Sequence, residues 1–162
     1  MISRPIDFDT PVGATDNKAP MECTLALVAD AANTESGGKL NVLGVFDVIR
    51  ADKFPYVIPQ FYVVVRFTAG PAEFGLKKQF ELVILSPDGQ PIGGRIQGKA
   101  SVPHPPDSNR SNMVVILRMV NVPFEKAGGY AISILVGGEE KASIPLEVVS
   151  IQSQRARKKK GG

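Results

Sequence analysis

The sequence predicts an all-β protein, an eight-stranded antiparallel two-sheet β-sandwich of the jelly-roll or C2-like kind. Three observations lead there. Residues 129–149 alternate apolar and polar side chains with a period of two, which places one face of each strand on a core. Short alternating segments are separated by Gly- and Pro-rich turns. No stretch shows a helical period longer than one turn, so the sequence favours strands packed in two layers.

The strongest signal is a hairpin near the C-terminal end. Its first strand places four apolar residues on one face (Tyr130, Ile132, Ile134 and Val136). Its second strand does the same with Ala142, Ile144, Leu146 and Val148. Gly137 and Gly138 between them provide the positive φ angles that a tight hairpin turn requires.

Six further strands precede this hairpin. They are expected at residues 21–28, 39–49, 60–69, 77–85, 95–102 and 111–120. The predicted inward side chains are Cys23, Leu25 and Leu27; then Leu40, Val42, Phe46 and Val48; then Phe61, Val63, Val65 and Phe67; then Phe80, Leu82 and Ile84; and finally Met113, Val115, Leu117 and Met119.

Two residues add local detail to these strands. Gly44 interrupts the second strand and predicts a bulge or a close backbone approach. Leu43, Val45 and Ile49 make the other face of that strand apolar too, so we expect it to be covered on both sides. Pro145 cannot donate a backbone hydrogen bond, which places it on an edge strand or at an unpaired position.

The chain divides into an N-terminal arm (residues 1–20), a sandwich domain (21–149) and a basic tail (150–162). The net charge of +3 is unevenly distributed. Five of the 19 basic residues and no acidic residue lie from Ser150 onward. The remaining 14 basic and 16 acidic residues give the rest of the chain a charge near −2. Only the tail is therefore basic.

Composition narrows the class of protein. A single cysteine, Cys23, rules out an internal disulfide framework and suits a reducing compartment. The first 20 residues lack the apolar run of a secretory signal, and no apolar stretch approaches the ~20 residues of a membrane helix. We therefore expect a soluble cytoplasmic protein without membrane contacts.

No catalytic or cofactor-binding site is predicted. His104 is the one histidine and lies between prolines, without a Gly-x-Ser-x-Gly context for a nucleophile. Cys23 faces inward and is therefore interpreted as a small core residue rather than a nucleophile. Phe54, Tyr56 and Tyr62 cluster loosely, which favours core-edge positions over a carbohydrate platform.

No metal site is predicted either. Asp30, Asp47, Asp52 and Asp88 are spread over separate strand ends, so they are expected to cap turns rather than hold calcium. Asp7 and Asp9 have a ligand-like spacing, but they belong to the arm. One cysteine and one histidine do not make a zinc site.

The basic tail is the one candidate binding feature. It contains Arg155, Arg157, Lys158, Lys159 and Lys160 within six residues. Such a run is either a solvated extension that does not fold on itself or a contact for nucleic acid or an acidic partner. It lacks aromatic residues that would stack on bases, so binding to nucleic acid would be indifferent to sequence.

Three stretches together resemble a known family. They are the segment Gly38-Lys39-Leu40-Asn41-Val42-Leu43-Gly44, the turn Ser86-Pro87-Asp88-Gly89 and the late Gly128-Gly129-Tyr130 with Gly137-Gly138-Glu139. Over about residues 21–149 the chain resembles an uncharacterised family of small bacterial β-sandwich proteins, a domain of unknown function. The resemblance implies a sandwich fold and no activity.

These observations favour a non-enzymatic binding or structural module, whose sandwich is a scaffold and whose terminal arms contact a protein partner or further copies. The alternative is a protein that associates with nucleic acid or another polyanion through its tail. An enzyme ranks last, because no convergent set of titratable residues is visible.

Overall fold

The computed structural model describes residues 21–161. The predicted arm, residues 1–20, lies outside the described residues. Within them the chain forms nine strands, a short 3-10 helix over Pro71–Glu73 and one α-helix. Their bounds are β1 Glu22–Thr34, β2 Leu40–Phe46, β3 Val48–Ala51, β4 Tyr56–Ala69, β5 Lys77–Leu85, β6 Pro91–Ser101, β7 Ser111–Phe124, β8 Gly128–Val136, β9 Glu139–Ser150 and α1 Ile151–Lys160.

The strands form two sheets, so the predicted all-β sandwich is confirmed. The first sheet has the order β2-β1-β4-β7, and the second has the order β3-β9-β8-β5-β6. Between them lies one apolar core, to which β5 and β8 contribute every second residue and β4 does so from Phe61 to Ala69. The inward faces predicted for β4, β5, β7 and the β8–β9 hairpin are confirmed, since all their members belong to this core or pack against it.

The predicted eight antiparallel strands become nine strands with one parallel pair. The segment expected as a single strand over residues 39–49 leaves the first sheet at Phe46 and enters the second sheet at Val48. There β3 runs parallel to β9, with Val48 paired to Glu147. Because the chain changes sheet at Asp47, Ile49 rather than Val48 enters the core.

The inward positions predicted for the first strand are partly wrong. Cys23 packs against the core as expected, but Ala26 and Val28 do so in place of Leu25 and Leu27. The register between β1 and β4 shifts between Cys23 and Leu25. An extra residue in a strand reverses which side chains face inward beyond it, and a period of two in the sequence cannot reveal it.

The β1–β2 hairpin is also less covered than its sequence suggests. Leu43 and Val45 are 72% and 60% exposed, so the expectation that this strand is buried on both faces is wrong. Leu40 and Val42 do not reach the core as predicted; they line an outer cleft with Leu25. The close approach predicted at Gly44 is confirmed, because a Cβ there would collide with the Asp30 carboxylate.

Two further features concern the C-terminal strand and tail. β9 pairs with β3 only from Glu147 onward, so Pro145 lies where β9 forms the edge of the sheet, as expected. The basic tail was expected not to fold on itself, but residues Ile151–Lys160 form α1. Gln, Arg, Ala and Lys are strong helix formers, and the helix ends before Gly161.

Candidate binding groove

One side of the sandwich is open. On the opposite side the chain itself joins the two sheets through Asp47, whose carbonyl accepts the Glu147 N–H at 2.8 Å. On the open side, β7 ends the first sheet and β6 ends the second. In the part of the chain that the structure describes, each of these strands pairs with one neighbour only. We call the space between β6 and β7 the groove.

Two cavities lie along the groove. The first, of about 220 Å³, is lined mainly by core side chains (Val65, Phe67, Phe80, Leu82, Val115, Leu117 and Ile134) and by β6 residues 96–100. The second, of about 170 Å³, lies between Ile92 and Ile96 of β6 and the β7 residues 118–123. Leu82 and Ile96 line both cavities, so the two cavities adjoin each other along the groove.

The sequence of β6 explains why the groove is open. Gly93, Gly94 and Gly98 provide no side chains to fill it. Gly93 and Gly94 have φ angles of 69° and 82°, which only glycine adopts readily. They coincide with a register shift between β5 and β6 next to Val83 and Ile84. Beyond this bulge, Ile96 is the large apolar side chain in the middle of β6, and it is 37% exposed.

The backbone of β7 completes the groove. At the head of the β1–β2 hairpin, the Glu35 N–H donates to the Lys39 carbonyl at 2.9 Å. Backbone groups of successive residues in a strand point to alternating sides of that strand. The bond between Glu35 and Lys39 therefore shows which β1 residues direct their backbone groups toward β2. The strand registers carry the same alternation from β1 through β4 to β7. The N–H and C=O groups that point away from β4 are those of Met113, Val115, Leu117 and Met119. These are the residues whose side chains face the core, so β7 offers the groove a row of backbone donors and acceptors beside an apolar floor.

Two cations and one carboxylate lie at the rim of the groove, since Glu81 lines the first cavity too. Lys99 of β6 lines the first cavity and Arg118 of β7 lines the second. Arg118 is exposed and donates from Nε to Gln60 Oε1 at 2.8 Å. Arg95, also on β6, is held by Glu81 at 2.5 Å. Because Glu81 is already paired with Arg95, the cations left for an acidic side chain of an extended ligand are Lys99 and Arg118.

The five predicted tail residues are all exposed on α1. At 100° per residue, Arg155, Arg157, Lys158, Lys159 and Lys160 point in every direction around the helix axis. A helix that is polar all round has no apolar face with which to lie on a membrane or on the sandwich. The structure thus brings the five charges together as a compact basic rod.

Cys23 and His104, the two residues considered as catalytic groups, each contact neighbouring parts of the sandwich. The Cys23 thiol is half-buried and donates to the Leu25 carbonyl at 3.4 Å. Burial raises the pKa of Cys23, and the hydrogen bond to Leu25 lowers it by less. The ring of His104 lies 5.1 Å from that of Phe74, beside a loop cavity of about 540 Å³.

The aspartates considered for calcium are dispersed. Asp88 pairs with Lys126, and Asp30 lies against Gly44. Among residues 21–161, no three His, Cys, Asp or Glu side chains converge as a metal-binding group would. Asp7 and Asp9 lie outside the described residues. Of the aromatic residues, Phe54 and Tyr56 pack against the core, whereas the Tyr62 hydroxyl accepts a hydrogen bond from Gln60. Over the same described range, no helix has both the length and the apolarity to cross a bilayer.

Sequence reasoning missed the groove. Its signal was present in the weak pattern of residues 91–101, where three glycines replace the bulky side chains that other strands carry. Only the sheet order shows that this strand lies at an open edge.

Comparisons with known proteins give distant likenesses. An immunoglobulin-like protein from Pseudomonas aeruginosa is 13% identical with a TM-score of 0.38, over 82% of this chain and 99% of that one. The CARDB domain of a Pyrococcus furiosus protein, in complex with di-metal ions, is 12% identical with a TM-score of 0.37, over 77% and 88%. Pseudomonas fluorescens alkylpurine DNA glycosylase AlkC, bound to DNA containing an abasic site analog, is 11% identical with a TM-score of 0.46, and the similarity spans 82% of this chain and 31% of the glycosylase. These scores carry no argument about function.

No curated protein matches the chain. A family model does match, over residues 24–149, and its description is a family of unknown function, DUF6941. The resemblance to an uncharacterised domain family over about residues 21–149 is thereby confirmed. Because the match covers more than half of the sequence, the chain belongs to this family of unknown function.

Proposed function

We propose that this protein is a non-enzymatic binding module that takes an extended segment of a protein partner into the groove. The observation that carries the proposal is the pair of adjoining cavities, an apolar one of about 220 Å³ and a mixed one of about 170 Å³, between two strands that each lack a second neighbour within the described residues. A peptide that adds to a sheet edge gains main-chain hydrogen bonds, and pockets for alternate side chains give specificity.

The groove has both parts of such a site. Met113, Val115, Leu117 and Met119 direct their N–H and C=O groups into it, and these groups set the position of an added strand. The cavities take every second side chain of that strand, because alternate residues of an extended chain share a face. The basic side chains of Lys99 and Arg118 favour acidic residues at the positions that point outward.

The test is a titration of the full chain with a blocked seven-residue peptide that alternates valine and aspartate. Binding is followed by the amide chemical shifts of the isotope-labelled protein, at peptide concentrations up to about 1 mM, where weak strand addition is visible. We expect saturable shifts concentrated on β6 and β7. The Ile96→Glu variant, which places a charge in both cavities, should weaken the binding at least tenfold.

Leu43→Glu is the matched control, because it introduces the same charge on β2 at the opposite edge of the sandwich, where the side chain is 72% exposed. Its affinity should equal that of the unmodified chain. Equal binding by the Ile96→Glu and Leu43→Glu variants, or shifts that avoid β6 and β7, would refute strand addition at the groove.

A second candidate function is polyanion binding through α1. Five exposed cations without an acidic residue between Ile151 and Gly161 favour it, since a basic run releases counterions from a phosphate backbone. We expect binding to a 30-base-pair DNA duplex that weakens steeply with salt. Replacing the five cations by glutamine should abolish the binding, whereas the Ile96→Glu change should leave it intact. Salt-independent binding, or binding that survives the glutamine replacements, would exclude this role.

A further inference from the structure

We propose that the groove binds the C-terminal end of its protein partner, with the last residues parallel to β7 and the free α-carboxylate held at the second cavity, beside Arg118. This inference rests on the proposed function of the groove and names the kind of segment that it takes. It follows from where regular pairing along β7 stops, from the open backbone of β6 at that point and from the charges along the groove.

Regular pairing along β7 stops at Asn121. Of the described residues other than glycine, Asn121 alone has a positive φ, of 52°. Met119 and Val122 both pack in the core although they lie an odd number of positions apart, so β7 changes face between them. An added strand follows the alternation of β7 only while that alternation lasts, so it ends beside Val120.

The bulge of β6 lies across the groove from this point. Gly93 and Gly94 line the second cavity together with β7 residues 118–123. The register between β5 and β6 passes over both glycines, which have no residue opposite them. A Cβ built on either one would meet no described atom within 4 Å, so the space beside their backbone is open. Because glycine lets a ligand approach the main chain closely, this bulge suits the end of a bound chain.

The charges along the groove decide which end of the partner chain lies here. Glu81 and Lys99, of opposite sign, line the first cavity. Among the described residues that line the second cavity, Arg118 alone is charged. An α-carboxylate is ionised at neutral pH and is attracted to this cation, whereas an α-ammonium is repelled. The C-terminal end of the partner therefore belongs at the second cavity.

The guanidinium of Arg118 is held by its neighbours. Its Nε donates to Gln60 Oε1 at 2.8 Å, and Gln60 Nε2 donates in turn to the Tyr62 hydroxyl at 3.4 Å. Because Nε is engaged with Gln60, the edge formed by the two terminal nitrogens is the one left for a carboxylate. Such an edge donates two parallel hydrogen bonds to a carboxylate, which adds to the attraction between the charges.

This placement fixes the direction and the sequence preference of the partner. Its chain runs from beside Met113 toward Met119, in the same direction as β7. The last residue and every second residue before it point into the cavities, so these residues are apolar. The side chain of the last residue enters the second cavity, between Ile92 and Ile96.

Two peptides of one sequence test the carboxylate. Both are acetylated and read Val-Asp-Val-Asp-Val-Asp-Val, and one ends in a free acid whereas the other ends in an amide. In amide-shift titrations of the labelled full chain at pH 7 and low salt, we expect the free acid to bind at least tenfold more tightly. The shifts that only the free acid produces should include those of Gly93 and Gly94. Equal affinities of the two peptides would refute the carboxylate site.

A pair of arginine variants tests the role of Arg118. Arg118→Gln should reduce the advantage of the free acid over the amide to less than threefold. Arg66→Gln is the matched control, because it removes the same charge from β4, where Nε is likewise held by a side-chain oxygen, Thr24 Oγ1 at 3.1 Å. This control should keep the tenfold advantage. Equal ratios of acid to amide affinity in the two variants would overturn the assignment of Arg118.

The direction of the bound peptide has its own measurement. A nitroxide label replaces the acetyl group of the free-acid peptide, at the end that should lie beside Met113. We expect the label to broaden the amide signal of Met113 more strongly than that of Asn121. Stronger broadening at Asn121 would place the other end of the peptide at the second cavity and refute this inference.

The peptide titrations separate this inference from the proposed function. If the amide binds at β6 and β7 as tightly as the free acid, the groove is a binding site for an extended segment and the preference for a chain end is refuted. If neither peptide binds, the proposed function itself fails.

Discussion

Lys78 Nζ lies 2.7 Å from Glu73 Oε1 and holds a carboxylate that is almost entirely removed from water. The side chain of Glu73 is 5% exposed, and that of Lys78 is 23% exposed. Glu73 Oε2 and Ser111 Oγ are buried without a hydrogen-bond partner among the described residues. The ion pair with Lys78 is therefore the main interaction that offsets the cost of burying the Glu73 carboxylate at the end of the sandwich.

Removing Lys78 alone should be costly. Lys78→Met leaves Glu73 buried and unpaired, and we expect a loss of about 2 kcal/mol in the free energy of unfolding, moderated by the partial exposure of the lysine. The same change in a Glu73→Gln background should cost less than about 0.5 kcal/mol, since no charge then needs a partner. Urea denaturation of the four chains measures both values. Equal costs in the two backgrounds would show that the ion pair does not matter.

The hydroxyl of Tyr130 ties β8 to the turn before it. It donates to the Lys126 carbonyl at 2.9 Å, and the ring packs edge-on against Phe124 at 5.0 Å. Tyr130→Phe keeps the ring contact and loses the hydrogen bond, so we expect a loss of about 1 kcal/mol in chemical denaturation. Tyr62→Phe is the control, because among residues 21–161 that hydroxyl accepts a hydrogen bond from one exposed glutamine at 3.4 Å. A Tyr62→Phe variant as destabilised as Tyr130→Phe would contradict this account.

Gly44 should resist substitution for two separate reasons. Its φ of 69° is unfavourable for any residue with a Cβ, and that Cβ would collide with the Asp30 carboxylate. Gly44→Ala should therefore lower the thermal unfolding midpoint, with a backbone cost of about 1–2 kcal/mol in addition to the collision. In an Asp30→Ala background only the backbone cost remains. If the two backgrounds lose equal stability, the collision is relieved by movement of the aspartate.

The thiol of Cys23 should lose its proton at a higher pH in the folded protein than in the unfolded chain. Burial raises the pKa of Cys23 in the folded protein, so the folded state binds this proton more tightly than the unfolded state does. The resulting stabilisation is complete below the pKa of the unfolded thiol and is lost as pH rises through the higher folded value. The rate of iodoacetamide alkylation, measured against pH, should reach its midpoint at higher pH in the folded protein than in urea. Coincident midpoints would refute the shift.

Alternation in the sequence predicted the inward side chains of β4, β5, β7, β8 and β9 because they alternate without interruption over residues 61–67, 80–84, 113–119, 130–136 and 142–148. It failed at Leu25 and Leu27, where one extra residue reverses the face of β1. It failed again at Val48, because a period of two continues unchanged when a chain moves from one sheet to the other. The helix over Ile151–Lys160 was missed for a different reason, namely that its residues favour a helix by propensity and carry no apolar period.

The amino-acid sequence by itself determined that this chain builds a two-layer β-structure, where most strands lie, and that the net positive charge comes from the tail. These properties follow from local patterns: side-chain period, turn residues and composition. Only the tertiary structure decided which strands become edges, and with that the groove between β6 and β7. Edge position depends on pairing between residues far apart in the chain, and no local pattern records which strand lacks a second neighbour.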